Sequence, residues 1–241
     1  MSTVRILVDN SVRNISKAAI EEHVDPPPER PMGNKVLMLR GVHGKDPLPP
    51  SHAFLHRQID CLPTIARLAK EGVIDFYSYP GVWIESLGIP RSFPEWPLTD
   101  IFNGVTFRTL RSAVEYFAPP YTYTAGRPKK EFQIELCKVL LDRQDKGGNA
   151  ARLHVLRSIC DGLSENHFDD VLHLWSAEIE GMQYFLTVDG KFVNALKQNK
   201  TCRLQCRLVT PTDLLEGMGI TGRDPWPFEP GRLYTPNGHP S

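Results

Sequence analysis

Apolar residues along the chain fall into two kinds of run. Short runs rich in β-branched and aromatic residues read as strands at 4–8, 35–40, 73–77, 184–188 and 202–209. Longer stretches with apolar residues three and four apart read as helices at 12–23, 52–71, 102–116, 131–142, 150–160 and 169–181, with a short one at 191–198. Pro63 kinks the 52–71 stretch or divides it into two helices, and Gly72 fits its end. Strands alternating with helices predict an α/β fold: three layers, α/β/α, around a central mostly parallel sheet.

The most regular pattern is 169–192, DDVLHLWSAEIEGMQYFLTVDGKF. Val171, Leu172, Leu174, Trp175, Ala177, Ile179 and Met182 cover most of a helix, which predicts that it is largely buried. Asp169 fits its N-cap, with Ser164 and Asn166 as other candidates, and leaves Asp170 on the first turn. Gly181 helps to end the helix, and Tyr184–Val188 has the continuous apolar character of a strand covered on both faces. Asp189 follows at the strand's C-terminal end, where open α/β sheets bind ligands.

Composition narrows the choices. The 241 residues carry 28 Lys+Arg and 28 Asp+Glu, so no global positive charge points to a non-specific nucleic-acid binder. Phosphate contacts need only a few placed side chains, and Arg127, Lys129 and Lys130 beside Tyr121 and Tyr123 form one local basic, aromatic segment. Most of the 21 prolines sit in a few segments, which suggests one domain over 1–220 with insertions near 24–52 and 88–130 and a Pro-rich tail at 221–241, flexible or draped over the surface. Arg40, His43 and Lys45 belong to a solvated loop or line a groove. The five cysteines lack the spacing of a zinc site and read as buried free thiols, with Cys202 and Cys206 on one face of a strand. Gly147-Gly148-Asn149 lacks the phosphate-binding spacings. No secretory signal or membrane-length apolar run is visible, so a cytoplasmic protein is expected.

The candidate chemistry is acidic. Asp9 closes the first strand, Asp170 opens the central helix, and Asp189 closes the strand after it; Glu85 follows a strand, a proline turn and the start of a helix. Asp9 also suits the N-cap of a helix beginning near Ser11, and Glu85 suits a solvent-facing first turn. A parallel sheet gathers strand ends of this kind into one crevice. Carboxylates brought together there repel one another, and an all-oxygen set suits Mg²⁺ or Mn²⁺.

The segment from Asp170 through Leu172, His173, Ala177, Thr187 and Asp189 resembles the C-terminal half of PIN domains, a family of metal-dependent ribonucleases that includes many toxins of toxin–antitoxin pairs. The likeness covers about 3–11, 73–87 and 130–218. It implies a metal-dependent endoribonuclease with Asp9, Glu85, Asp170 and Asp189 as metal-binding catalytic acids. Thr187 and Asn10 support them, and Arg127, Lys129 and Lys130 contact RNA. Asp60 is the rival to Glu85, because it also lies on a helix between the first two strands, and the stretch between Asp9 and Glu85 is longer than in typical members. His173, one turn after Asp170, reads as a packed or hydrogen-bonded core histidine or as part of the site. The family also implies a homodimer and an antitoxin-like protein partner as possible associations. A non-catalytic nucleic-acid-binding or protein-interaction module is the alternative.

Overall fold

The computed structural model describes residues 3–17, 19–24, 38–45, 48–78, 100–117, 129–199 and 201–234. In chain order the elements are β1 (Val4–Val8), α1 (Asn10–Ile15), β2 (Ala19–Val24), β3 (Met38–Gly44), α2 (Ala53–Ile59), α3 (Leu62–Lys70), β4 (Ile74–Ser78), β5 (Phe107–Thr109), α4 (Lys129–Asp142), α5 (Gly148–Cys160), α6 (Phe168–Ile179), β6 (Tyr184–Leu186), α7 (Gly190–Gln198), β7 (Arg207–Val209), α8 (Pro211–Gly217) and β8 (Leu233–Tyr234).

Five strands form a parallel sheet in the order β5-β4-β1-β6-β7. Strand alternation sorts its side chains into two cores. Ile6, Val8, Ile74, Phe76, Leu186 and Val209 face α2, α3 and α8. Leu7 and Phe185 face the opposite way, onto α4, α5 and α6. The fold is therefore the expected α/β arrangement, with helices on both faces of the central sheet. β1 is its buried middle strand: Ile6, Leu7 and Val8 are all 0% exposed.

Helix α6 is the keystone of the second layer. Trp175 is fully buried, stacks at 5.6 Å on Phe117, and donates its indole N–H to Arg152 O at 2.9 Å. Gly181 ends the helix at φ +66°, a backbone state open to glycine at little cost, and the chain turns directly into β6. The divided reading of 52–71 holds, because α2 stops at Ile59 and Pro63 lies in the first turn of α3, where its missing N–H costs nothing.

Several expected elements differ. The helix expected over 12–23 is only α1. Ala19–Val24 instead pairs antiparallel with β3, because ladder formation outweighs the helix preference of Ala and Glu. β3 in turn pairs with β8, giving a second, three-stranded sheet. Arg40 and His43 thus lie on a strand rather than in a loop. The helix expected over 102–116 is also absent. Phe107–Thr109 is the edge strand of the main sheet, with Phe107 packed on Phe76 at 5.1 Å, and only Ala113–Tyr116 winds into a 3₁₀ turn. β7 is shorter than 202–209 and leaves Cys202 and Cys206 outside it. The described part of the tail is draped and also anchored. Phe228 and Tyr234 are buried in the α3-side core, and the Tyr234 hydroxyl accepts from the Glu229 amide at 2.8 Å. All five cysteines are free, and four are buried.

Replacing Trp175 by Ala should lower stability by about 3–5 kcal/mol, because the cavity opens under a helix that carries two carboxylates of the crevice described below. Trp175→Phe keeps most of the packing and loses one hydrogen bond, so it should cost less. Denaturant midpoints of the two variants check the order.

Candidate active site

The strand order reverses at β1 and β6. The helices after β1 that lead to β4 cover one face, while α7 after β6 places Phe192 in the core on the other. The gap above the C-terminal ends of these two strands is the switch point where open α/β sheets hold ligands. A crevice of about 330 Å³ lies there. Asp9, Asp169, Asp170 and Asp189 line it, together with Asn10, Ser11, Asn14, Lys130 and Gln133. Three of the four predicted acids thus share one crevice, with Asn10 and Lys130 beside them.

Asp9 follows β1 directly, and its amide donates to Leu186 O at 2.9 Å, which ties the two strand ends together. Its side chain is 4% exposed. It occupies the N-cap position of α1 but makes no capping hydrogen bond, so the helix-cap reading fails. Oδ2 instead accepts from the hydroxyls of Ser11 and Thr187, the latter at 2.7 Å. Oδ1 lies 3.7 Å from Nδ1 of His173, which is buried at the same level. The Thr187 hydroxyl also accepts from the Asp189 amide at 3.1 Å, and the Ser11 hydroxyl from the Val188 amide at 3.2 Å. Two hydroxyls therefore fix Asp9 against the β6 end. Thr187, expected to support the acids, hydrogen-bonds Asp9, and Ser11 does the same, which its sequence context alone did not signal.

Asp189 is the N-cap of α7. Its Oδ1 accepts from the amides of Lys191 at 2.8 Å and Phe192 at 3.0 Å. Asp170 sits on the first turn of α6 as expected, but Asp169 does not cap that helix. The cap position falls two residues earlier, on His167, and the helix begins at Phe168, so both aspartates lie in its first turn. A 3₁₀ turn capped by Ser164 leads into it and displaces the expected cap. Asp169 is the residue the sequence reading assigned to capping rather than to the site. Its Oδ2 lies 3.5 Å from Lys130 Nζ, and its buried Oδ1 has no hydrogen-bond partner among the described residues. The adjacent pair Asp169-Asp170 at a helix start was the available signal.

Burial pushes the Asp170 carboxyl up to about 8, and Asp9 and Asp169 push in the same direction. His173 opposes the rise, and Asp189 adds to it. The donor set is oxygen only and holds an orphaned carboxylate oxygen, which is the chemistry of a hard divalent cation. Among the described residues, however, no group of three or more His, Cys, Asp or Glu side chains is close enough to hold a metal ion directly. The set fits an ion that keeps much of its water, as Mg²⁺ does when one or two carboxylates bind it.

Glu85 and Arg127 lie outside the described residues, as does the side chain of Lys129, whose backbone lies in the first turn of α4. Asp60 is the C-cap residue of α2 and does not line the crevice. Comparisons with protein-family models, with curated proteins and with solved structures found no match. Among the described residues no helix is long and apolar enough to cross a membrane.

The raised Asp170 carboxyl has a consequence for stability. Between pH about 4 and 8 the unfolded chain releases a proton that the folded chain keeps, so the folded state loses stability as pH rises through that window. Asp170→Asn removes this loss. Its stability relative to the wild type should therefore grow from pH 5 to pH 8, by on the order of 1–3 kcal/mol without added metal. Denaturant titrations at the two pH values test this, and a constant difference would count against a buried, repelled carboxyl.

Proposed function

We propose that this chain is a divalent-metal-dependent nuclease that hydrolyses RNA phosphodiester bonds, in the manner of the PIN domains its sequence resembles. The observation that carries the proposal is the meeting of Asp9, Asp169, Asp170 and Asp189 in one crevice at the switch point of a parallel sheet. Mg²⁺ or Mn²⁺ would be held by these carboxylates, with Glu85 as the further acid implied by the resemblance. Once bound, such an ion activates water and stabilises the charge that develops on a phosphodiester.

The chain's own residues have separable tasks in this reading. Ser11 and Thr187 hold Asp9 in one orientation through its Oδ2 and leave Oδ1 turned toward His173. Asp189 has one oxygen committed to the N-terminus of α7, which fixes the direction of the other. Lys130 stands at the crevice beside Asp169 and can exchange that ion pair for a substrate phosphate. RNA as the substrate, rather than DNA, rests on the resemblance.

One observation favours the alternative of a non-catalytic binding module: no described group of three ligand side chains closes around a single point. Cleavage of a mixed pool of single-stranded RNA and DNA with Mn²⁺, Mg²⁺ or a chelator separates the two. The nuclease reading expects metal-dependent cutting of RNA that falls at least ~100-fold in Asp9→Asn and Asp170→Asn. Metal-independent cutting, or cutting unaffected by both substitutions, would overturn it. No cutting together with no metal binding would leave the interaction module as the better reading.

A further inference from the structure

The geometry points to Phe54 as a base-stacking platform at the rim of the acidic crevice, so that the substrate presented there is a single strand with an unstacked base. This rests on the nuclease reading above for the identity of the crevice and adds the class of substrate. Phe54 is 38% exposed, and among the described residues it is the only aromatic in the set of exposed large apolar side chains. An isolated exposed apolar residue is ordinary. The surroundings of this one are what give it meaning.

The ring lies against Gly190, the residue after Asp189. A Cβ placed on Gly190 would sit 3.4 and 3.5 Å from two ring carbons, so the glycine lets the ring rest on the backbone at the N-terminus of α7. Asp189, whose side chain lines the crevice, is thus one residue from the aromatic surface. The helix beneath Phe54 is fixed. Leu55 packs on the core and Gln58 is buried, its side-chain oxygen accepting from the amide of Thr212 at 3.1 Å and from the Thr212 hydroxyl at 3.0 Å. Phe54 is therefore held on a rigid element, with the tip of its ring toward Gly190 and part of its surface open to solvent.

Two exposed cations are close to it along the chain: Arg57 follows three residues later on the same helix, and Lys191 follows Gly190. An exposed aromatic with cations nearby suits a single strand, because bases stack on the ring while the cations meet the backbone. A duplex keeps its bases stacked on each other and offers none to the ring.

Fluorescence anisotropy with labelled oligoribonucleotides tests this in the Asp170→Asn background, where binding is read without cleavage. Phe54→Ala should weaken single-strand binding about 5- to 100-fold and leave binding of the same sequence as a duplex unchanged. Phe54→Trp should retain single-strand affinity, and the thermal midpoints of all variants should agree within error. An abasic nucleotide moved along the strand should reproduce the loss at one position, and at that position Phe54→Ala should add nothing further. Equal binding by Phe54→Ala, or equal weakening of single strand and duplex, would overturn the stacking role. Metal-dependent RNA cutting by the otherwise native chain, run alongside, distinguishes failure of this role from failure of the nuclease reading. A chain that cuts but ignores Phe54 loses only the former, and a chain that binds no single strand loses the stacking role whatever the cutting assay shows.

Discussion

Four carboxylates facing one crevice repel one another, and that repulsion is the constraint on which the rest of the site depends. Two unit charges about 4 Å apart in a medium of effective dielectric ~20 interact by about 4 kcal/mol. The backbone offers less in return. An N-cap hydrogen bond such as that of Asp189 contributes about 1 kcal/mol. The N-terminus of a helix, where Asp169 and Asp170 sit, contributes about 0.3–1 kcal/mol to each charge. Lys130 supplies one formal positive charge at 3.5 Å from Asp169 and is itself exposed, so solvent screens it. These contributions do not offset the whole cost at Asp170, where burial first, and then the charges of Asp9 and Asp169, push the carboxyl up to about 8.

The same balance gives the fold its reason for holding Asp9 so firmly. A carboxylate 4% exposed needs its lone pairs occupied, and Ser11 and Thr187 occupy those of one oxygen. Both hydroxyls also accept amides from the chain just beyond β6. The hydrogen bonds that satisfy Asp9 are therefore the ones that lock the ends of β1 and β6 together. Site and sheet share a single network, and a substitution at Thr187 acts on both.

How much of this was legible in the sequence follows from the kind of signal each part sends. Helix α6 and strand β6 were readable because burial forces a dense apolar pattern from Val171 to Leu186, with a glycine at the turn between them. Asp9, Asp170 and Asp189 were readable because each ends or begins such an element. The hairpin of β2 and β3 was not, since Ala-Ile-Glu-Glu-His-Val carries as much helix as strand preference and is decided by its partner. Phe107–Thr109 was lost for a related reason. Three residues at a sheet edge are too few to show a period, and Val105 and Leu110 on either side imitate a helical one. Asp169 was misassigned because a single 3₁₀ turn moved the start of α6 by two residues, below what a cap preference resolves.

The proton on Asp170 also links the crevice to its proposed cation. In the proposed reading Asp9 and Asp170 would help to hold a divalent ion, whose charge would favour loss of that proton and offset the repulsion among the carboxylates. On this argument the orphaned oxygen of Asp169 is not a flaw in the packing. In the proposed reading it would accept from the cation or from a water bound to it, while Lys130 pairs with the other oxygen of the same carboxylate.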